Sequence, residues 1–135
     1  MENEINSLIV FLIVIKEFSK DIHYTAHGEA FYAKHLLVDK FIFNEHIDLL
    51  KECCLLGNGI RPLSAKNYLT KAVPLIVEPK ENDDKDNFEV LNGYIEQALN
   101  LINKMSDLSK ADENVIGSIA QDLQQYKGLI NLQVE

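Results

Sequence analysis

Apolar residues near the N-terminus recur at intervals of three and four. Ile5, Leu8, Leu12, Ile15, Phe18 and Ile22 mark one face of a helix running roughly from Glu2 to Ile22. Every position from Leu8 to Ile15 is apolar, which widens the buried face beyond a single stripe. That run is too short for a membrane span, which takes roughly twenty residues. A second helix is predicted from near Gly28 to about Leu56. Phe31, Leu36, Val38, Phe41, Ile42, Leu49 and Leu50 make it apolar on more than one side, and Gly57-Asn58-Gly59 stops it.

Residues 57–87 read as a long connection. Arg61-Pro62-Leu63-Ser64 breaks the chain, Ser64 can cap a short helix from Ala65 to about Val73, and Pro74, Pro79 and a polar run from Lys80 to Asn87 follow. Bundle helices are usually joined by short loops, so a connection of this length has to cross the bundle. The third long helix, Asn87 to Met105, places Phe88, Leu91, Ile95, Ala98, Ile102 and Met105 in a narrow seam, with Asp86 or Asn87 as its cap. Ser109 to Glu113 is a turn with Asp112 or Ser109 as cap. The last helix, which reaches Leu132, carries Ile116, Ile119, Leu123, Tyr126 and Ile130 at the same spacings. No strand-like alternation of any length interrupts this pattern. The expected fold is all-α: one domain over residues 1–135, built as a ferritin-like four-helix bundle with a short helix in the long crossover between helices 2 and 3.

Charge narrows the class of partner. The net charge is −8, and neither end carries a Lys/Arg-rich tail, so nucleic-acid binding through the chain's own electrostatics is not expected. The acidic start, Met1-Glu2-Asn3-Glu4, is unlike a secretory leader, and a cytoplasmic location with no membrane association is expected. Cys53 and Cys54, the only cysteines, are neighbours in sequence, which excludes a disulfide framework and suggests packing residues beside Leu55 and Leu56.

The chemistry-bearing residues cluster between positions 23 and 46. His23 and His35 are twelve apart, Asp39 follows one turn after His35, and His46 lies eleven after His35, close to three full turns. Imidazoles suit iron, zinc and copper, and a carboxylate adds a harder donor, so the set has the ligand chemistry of a transition-metal site. Gly28 interrupts the stretch, so His23 and His35 belong to different helices that must converge, within one chain or between two. His27, next to the glycine, reads as a loop residue. Asp83, Asp84 and Asp86 read as a solvated loop or a cation funnel, and Glu89 and Glu96 share a helix face that could line an interior.

The run His23-Tyr24-Thr25-Ala26-His27-Gly28-Glu29-Ala30-Phe31, continued by His35 and Asp39, resembles the Dps proteins, or mini-ferritins. In that family a His-Trp-Asn run is followed by Gly, Phe, His and Asp at these offsets; here Tyr24 stands for the Trp and Thr25 for the Asn. The resemblance implies a homo-oligomeric cage, a dodecamer, that oxidises ferrous iron at sites lying across the two-fold interface between subunits and stores the mineral inside. It carries His23, His35 and Asp39 over as catalytic metal ligands.

The pattern departs from the family further along. The family's remaining ligands, an Asp and a Glu, fall fifteen and nineteen positions after the second-helix histidine, where this chain has Leu50 and Cys54. Asp48 and Glu52 keep the mutual spacing two residues early, and two residues of α-helix turn a side chain by about 200°. A set of His23, His35, Asp39 and His46 is rich in nitrogen and favours zinc, copper or a single iron over an iron pair. Two readings therefore stand: a ferroxidase mini-ferritin, or a fold relative with a degenerate metal site acting as a structural or partner-binding protein.

Overall fold

The computed structural model describes residues 2–25, 43–81 and 83–134. Helix α1 spans Glu2–His23. Helix α2 is α-helical over Asn44–Leu49, π-helical over Leu50–Leu55, and ends in a 3-10 turn at Leu56–Asn58. A short α3, Ala65–Ala72, runs into a 3-10 turn at Val73–Leu75. Helices α4, Asp84–Lys104, and α5, Lys110–Val134, complete the bundle. Among the described residues there is no strand.

The apolar run of α1 is buried almost all round: Leu8, Ile9, Leu12, Val14, Ile15 and Phe18 expose nothing. One helix can be apolar on every side only if several elements cover it. Here α4 covers it most extensively, with α3 and α2 on other faces. Four buried hydroxyls satisfy polar atoms inside this packing, as burial requires. Ser19 Oγ and Tyr126 Oη lie 2.9 Å apart between α1 and α5, and Tyr68 Oη donates to Asn6 Oδ1 at 2.6 Å between α3 and α1. Tyr94 Oη on α4 donates to the Leu75 carbonyl at 2.6 Å and accepts from the Val77 amide at 3.1 Å, which straps the crossover to the bundle.

Helix ends follow their caps. Gly59 takes φ +73°, the left-handed conformation glycine adopts without penalty, and its amide reaches the Leu56 carbonyl. Ser64 caps α3 by accepting from the Asn67 amide. Helix α4 starts at Asp84, three residues before the expected Asn87, because Asp83 rather than Asp86 or Asn87 supplies the cap, accepting from the Asp86 amide. Asn87 is engaged elsewhere, since its carboxamide binds the Lys80 carbonyl and amide at 2.7 and 2.8 Å. The acidic cluster is thus the cap and first turn of a helix, where negative charge complements the backbone dipole. Ser109 caps α5, so that helix begins at Lys110 rather than Asp112.

Candidate metal-binding face

His23 closes α1, where a basic group suits the negative end of the helix dipole. It is half-buried, and its ring meets that of Tyr24 edge-on, centroids 4.8 Å apart. The turn behind it is held by the amides of Tyr24 and Thr25, which reach the carbonyls of Asp21 and Ile22 at 3.2 Å. Asn87 Nδ2 approaches Thr25 Oγ1 at 3.5 Å, tying the end of α1 to the start of α4. His27, His35 and Asp39 lie outside the described residues.

His46 faces α5. Its Nε2 lies 2.6 Å from Asp122 Oδ2, its ring sits 4.9 Å from that of Phe43, and its Nδ1 is buried without a hydrogen bond. Asp122 is seventy-six positions away, so spacing within the second helix gives no hint of it. Asp48 is exposed, two residues along the same helix and therefore turned about 200° from His46. One outward-facing site cannot use both.

Leu50 and Cys54, the positions reached by counting from His35, expose nothing and belong to the bundle core. Asp48 and Glu52 are both exposed. A π-helical turn begins at Leu50, takes more residues per revolution and shifts the side chains after it, Glu52 and Cys54 among them; Asp48 and the count as far as Leu50 lie before it. Glu96, the other candidate for an interior surface, meets Lys127 of α5 at 3.1 Å; Glu89 is exposed.

The cysteines are packing and surface residues. Cys54 is buried beside Asp112, itself buried and accepting from Asn58 Nδ2 at 2.8 Å; Asn58 Nδ2 also reaches the Cys54 carbonyl. Burial first, then the charge and hydrogen bond of Asp112, push the Cys54 thiol up to about 12. Thiol titration of the native protein should find Cys53, which is exposed, and reach Cys54 only after unfolding. The folded chain keeps the Cys54 proton where the unfolded chain loses it. Stability therefore falls as pH rises from the ordinary thiol range, near 8.5, towards 12, by at most about 1.4 kcal/mol per pH unit from this group. Cys54→Ala should flatten that decline in denaturant melts across the alkaline range.

A groove of about 440 Å³ opens beside Asp48, between α1, α2 and α3. Ile13, Ile47 and Tyr68, all buried, form its floor, and Lys16, Asp48, Lys51 and the half-exposed Leu69 its mouth. Among the described residues no three His, Cys, Asp or Glu side chains come together to hold a metal ion, and no helix is long and apolar enough to cross a membrane.

No family model matches the sequence, and no curated protein matches it. Solved structures do. The chain aligns over 99% of its length with 94% of a mutant Dps1 of Mycobacterium smegmatis, at 12% identity and a TM-score of 0.79. It aligns over 99% of its length with 88% of the DPS protein of Vibrio cholerae O1, at 18% identity and a TM-score of 0.66. The latter is described as a member of a broad superfamily of ferritin-like diiron-carboxylate proteins. The chain has the ferritin-like fold of the Dps proteins.

Proposed function

We propose that this protein is an iron-handling mini-ferritin, oxidising ferrous iron at sites completed between subunits of a dodecameric cage. Iron is the substrate; zinc or copper would be held by the same imidazoles. The observation that carries the reading is the outward carboxylate pair. Asp48 and Glu52 stand on the exposed side of α2, while Leu50 and Cys54 are core. With His23, His35 and Asp39 they make a set of two imidazoles and three carboxylates. This is less nitrogen-rich than the set containing His46, and it suits iron. His46, engaged by Asp122 of its own bundle, takes no part in this set.

The imidazoles hold ferrous iron, and the carboxylate oxygens, harder donors, favour the ferric charge that forms as peroxide or oxygen takes the electron. A turn fixed by Asn87 and by the α1 carbonyls keeps His23 in place. We place this activity in the cytoplasm, where two unpaired thiols remain reduced.

The second reading, a bundle serving structural or partner-binding roles with a degenerate site, is favoured by Leu50 and Cys54, core residues at the positions where the family's remaining carboxylate ligands fall. Anaerobic addition of Fe(II), then air or peroxide, separates the two. Ferric absorbance should rise faster with the wild type than with buffer, and His35→Ala should lose most of that excess. A wild type no faster than buffer ends the enzyme reading.

A further inference from the structure

We infer that the trough between α1, the crossover and α4 binds a free fatty carboxylate, its hydrocarbon chain against Val77 and Gly93 and its head at Lys104. Two cavities make up the trough. One, of about 320 Å³, is lined by Phe11, Leu75, Val77, Val90, Gly93 and Tyr94, with Gln97 at its edge. The other, of about 230 Å³, shares Phe11 and Gln97 and adds Asn100, Leu101 and Lys104. The shared wall joins them into one site, of a size usual for small molecules. It is separate from the groove beside Asp48. Phe11 and Ile13, which line the two, are neighbours but one on α1 and stand about 200° apart around it.

One half of the trough is apolar. Its single hydroxyl, on Tyr94, is already engaged by the Leu75 carbonyl and the Val77 amide. Leu75 and Val77 are 41% and 48% exposed, on a strap that those two bonds hold in place. Gly93 leaves the floor open, since a methyl group there would meet nothing within 4 Å. The other half is polar and ends in a cation. Gln97, Asn100 and Lys104 are exposed, and Lys104 forms no ion pair among the described residues. Its ammonium and the carboxamide of Asn100, one turn before it on α4, can donate to the same carboxylate. Gly93 and Lys104 are eleven positions apart, about 16 Å along the helix. An extended chain advances about 1.2 Å per bond, so a tail of about a dozen carbons with its head covers that distance. An apolar end and a cationic end select an anionic amphiphile over a neutral hydrocarbon. The net charge of −8 repels an anionic membrane surface, whereas a single carboxylate needs only Lys104.

The test is a calorimetric titration of the native protein with dodecanoate, kept below the concentration at which it forms micelles. Binding should saturate and be at least about tenfold tighter than that of octanoate, because each methylene covered adds to affinity. Gly93→Leu, which fills the floor, should weaken dodecanoate binding by about tenfold or more. Lys104→Gln should weaken it by about threefold to fivefold, and Lys104→Arg should not. Lys104 is exposed, so its variants report on the site even where Gly93→Leu fails to fold. Absence of saturable binding overturns the site, as does a folded Gly93→Leu that binds like the wild type. Unchanged affinity in Lys104→Gln overturns the placement of the head. In flotation with phosphatidylcholine–phosphatidylglycerol vesicles the protein should stay in solution. Co-flotation that Lys104→Gln abolishes would overturn the free ligand in favour of a lipid surface. No variant touches the proposed iron ligands, so the outcome is independent of iron oxidation.

Discussion

Neutralising both outward carboxylates, as Asp48→Asn with Glu52→Gln, is expected to reduce ferrous iron oxidation to the rate of buffer while leaving the fold intact. Both side chains are exposed, so neither change reaches the core, and exposed substitutions usually shift stability by about 0.5 kcal/mol or less. The loss falls on the metal. Two of three carboxylates disappear from the proposed set, and the remaining imidazoles hold ferrous iron without favouring its oxidised form. Ferric absorbance after peroxide addition reads the first effect and thermal unfolding the second. Oxidation at the wild-type rate would show that iron is bound elsewhere.

Phe18→Ala is expected to destabilise the protein by about 3–5 kcal/mol, the usual cost of emptying a buried aromatic site. Phe18 exposes nothing, and its ring meets Tyr94 edge-on with centroids 5.5 Å apart. Tyr94 in turn holds the crossover through its hydroxyl, so the cavity loosens the strap at Leu75 and Val77 as well as the core. Urea unfolding should show a lower midpoint with the slope unchanged. A loss below about 1 kcal/mol would mean that α1 is not packed as described.

The helices are legible in the sequence because burial imposes a period. The seam Phe88, Leu91, Ile95 and Ala98 is buried as its spacing demands, and the all-apolar run from Leu8 to Ile15 is the helix most completely enclosed. The short crossover helix and the glycine stop after α2 also follow from local chemistry, through Ser64 and Gly59. The start of α4 falls three residues before its expected place because cap choice depends on competition. Asn87 has the chemistry of a cap, but its side chain binds Lys80 across a turn, a pairing no local rule reveals.

The candidate site is less legible, for two physical reasons. A count along α2 assumes a constant turn per residue, and the π-helical stretch at Leu50–Leu55 breaks that assumption for Glu52 and Cys54, though not for Asp48 before it. The second reason is that helix spacing says which residues share a face but not what the face meets. His46 shares a stripe with His35 by spacing, and its ring is nevertheless claimed by Asp122 of α5. The groove between α1, α2 and α3 draws on three helices and leaves no trace in any one of them.

The most direct test of an intersubunit site mixes two inactive chains. His23→Ala lacks a nitrogen donor, and Asp48→Asn with Glu52→Gln lacks the oxygen donors; each alone should fail to oxidise ferrous iron. Unfolded together and refolded as a mixture, they should recover about a quarter of the wild-type rate, because half of randomly formed two-fold pairs are mixed and each mixed pair has one complete site. A mixture as inactive as its components would place the ligands within a single chain and contradict the account.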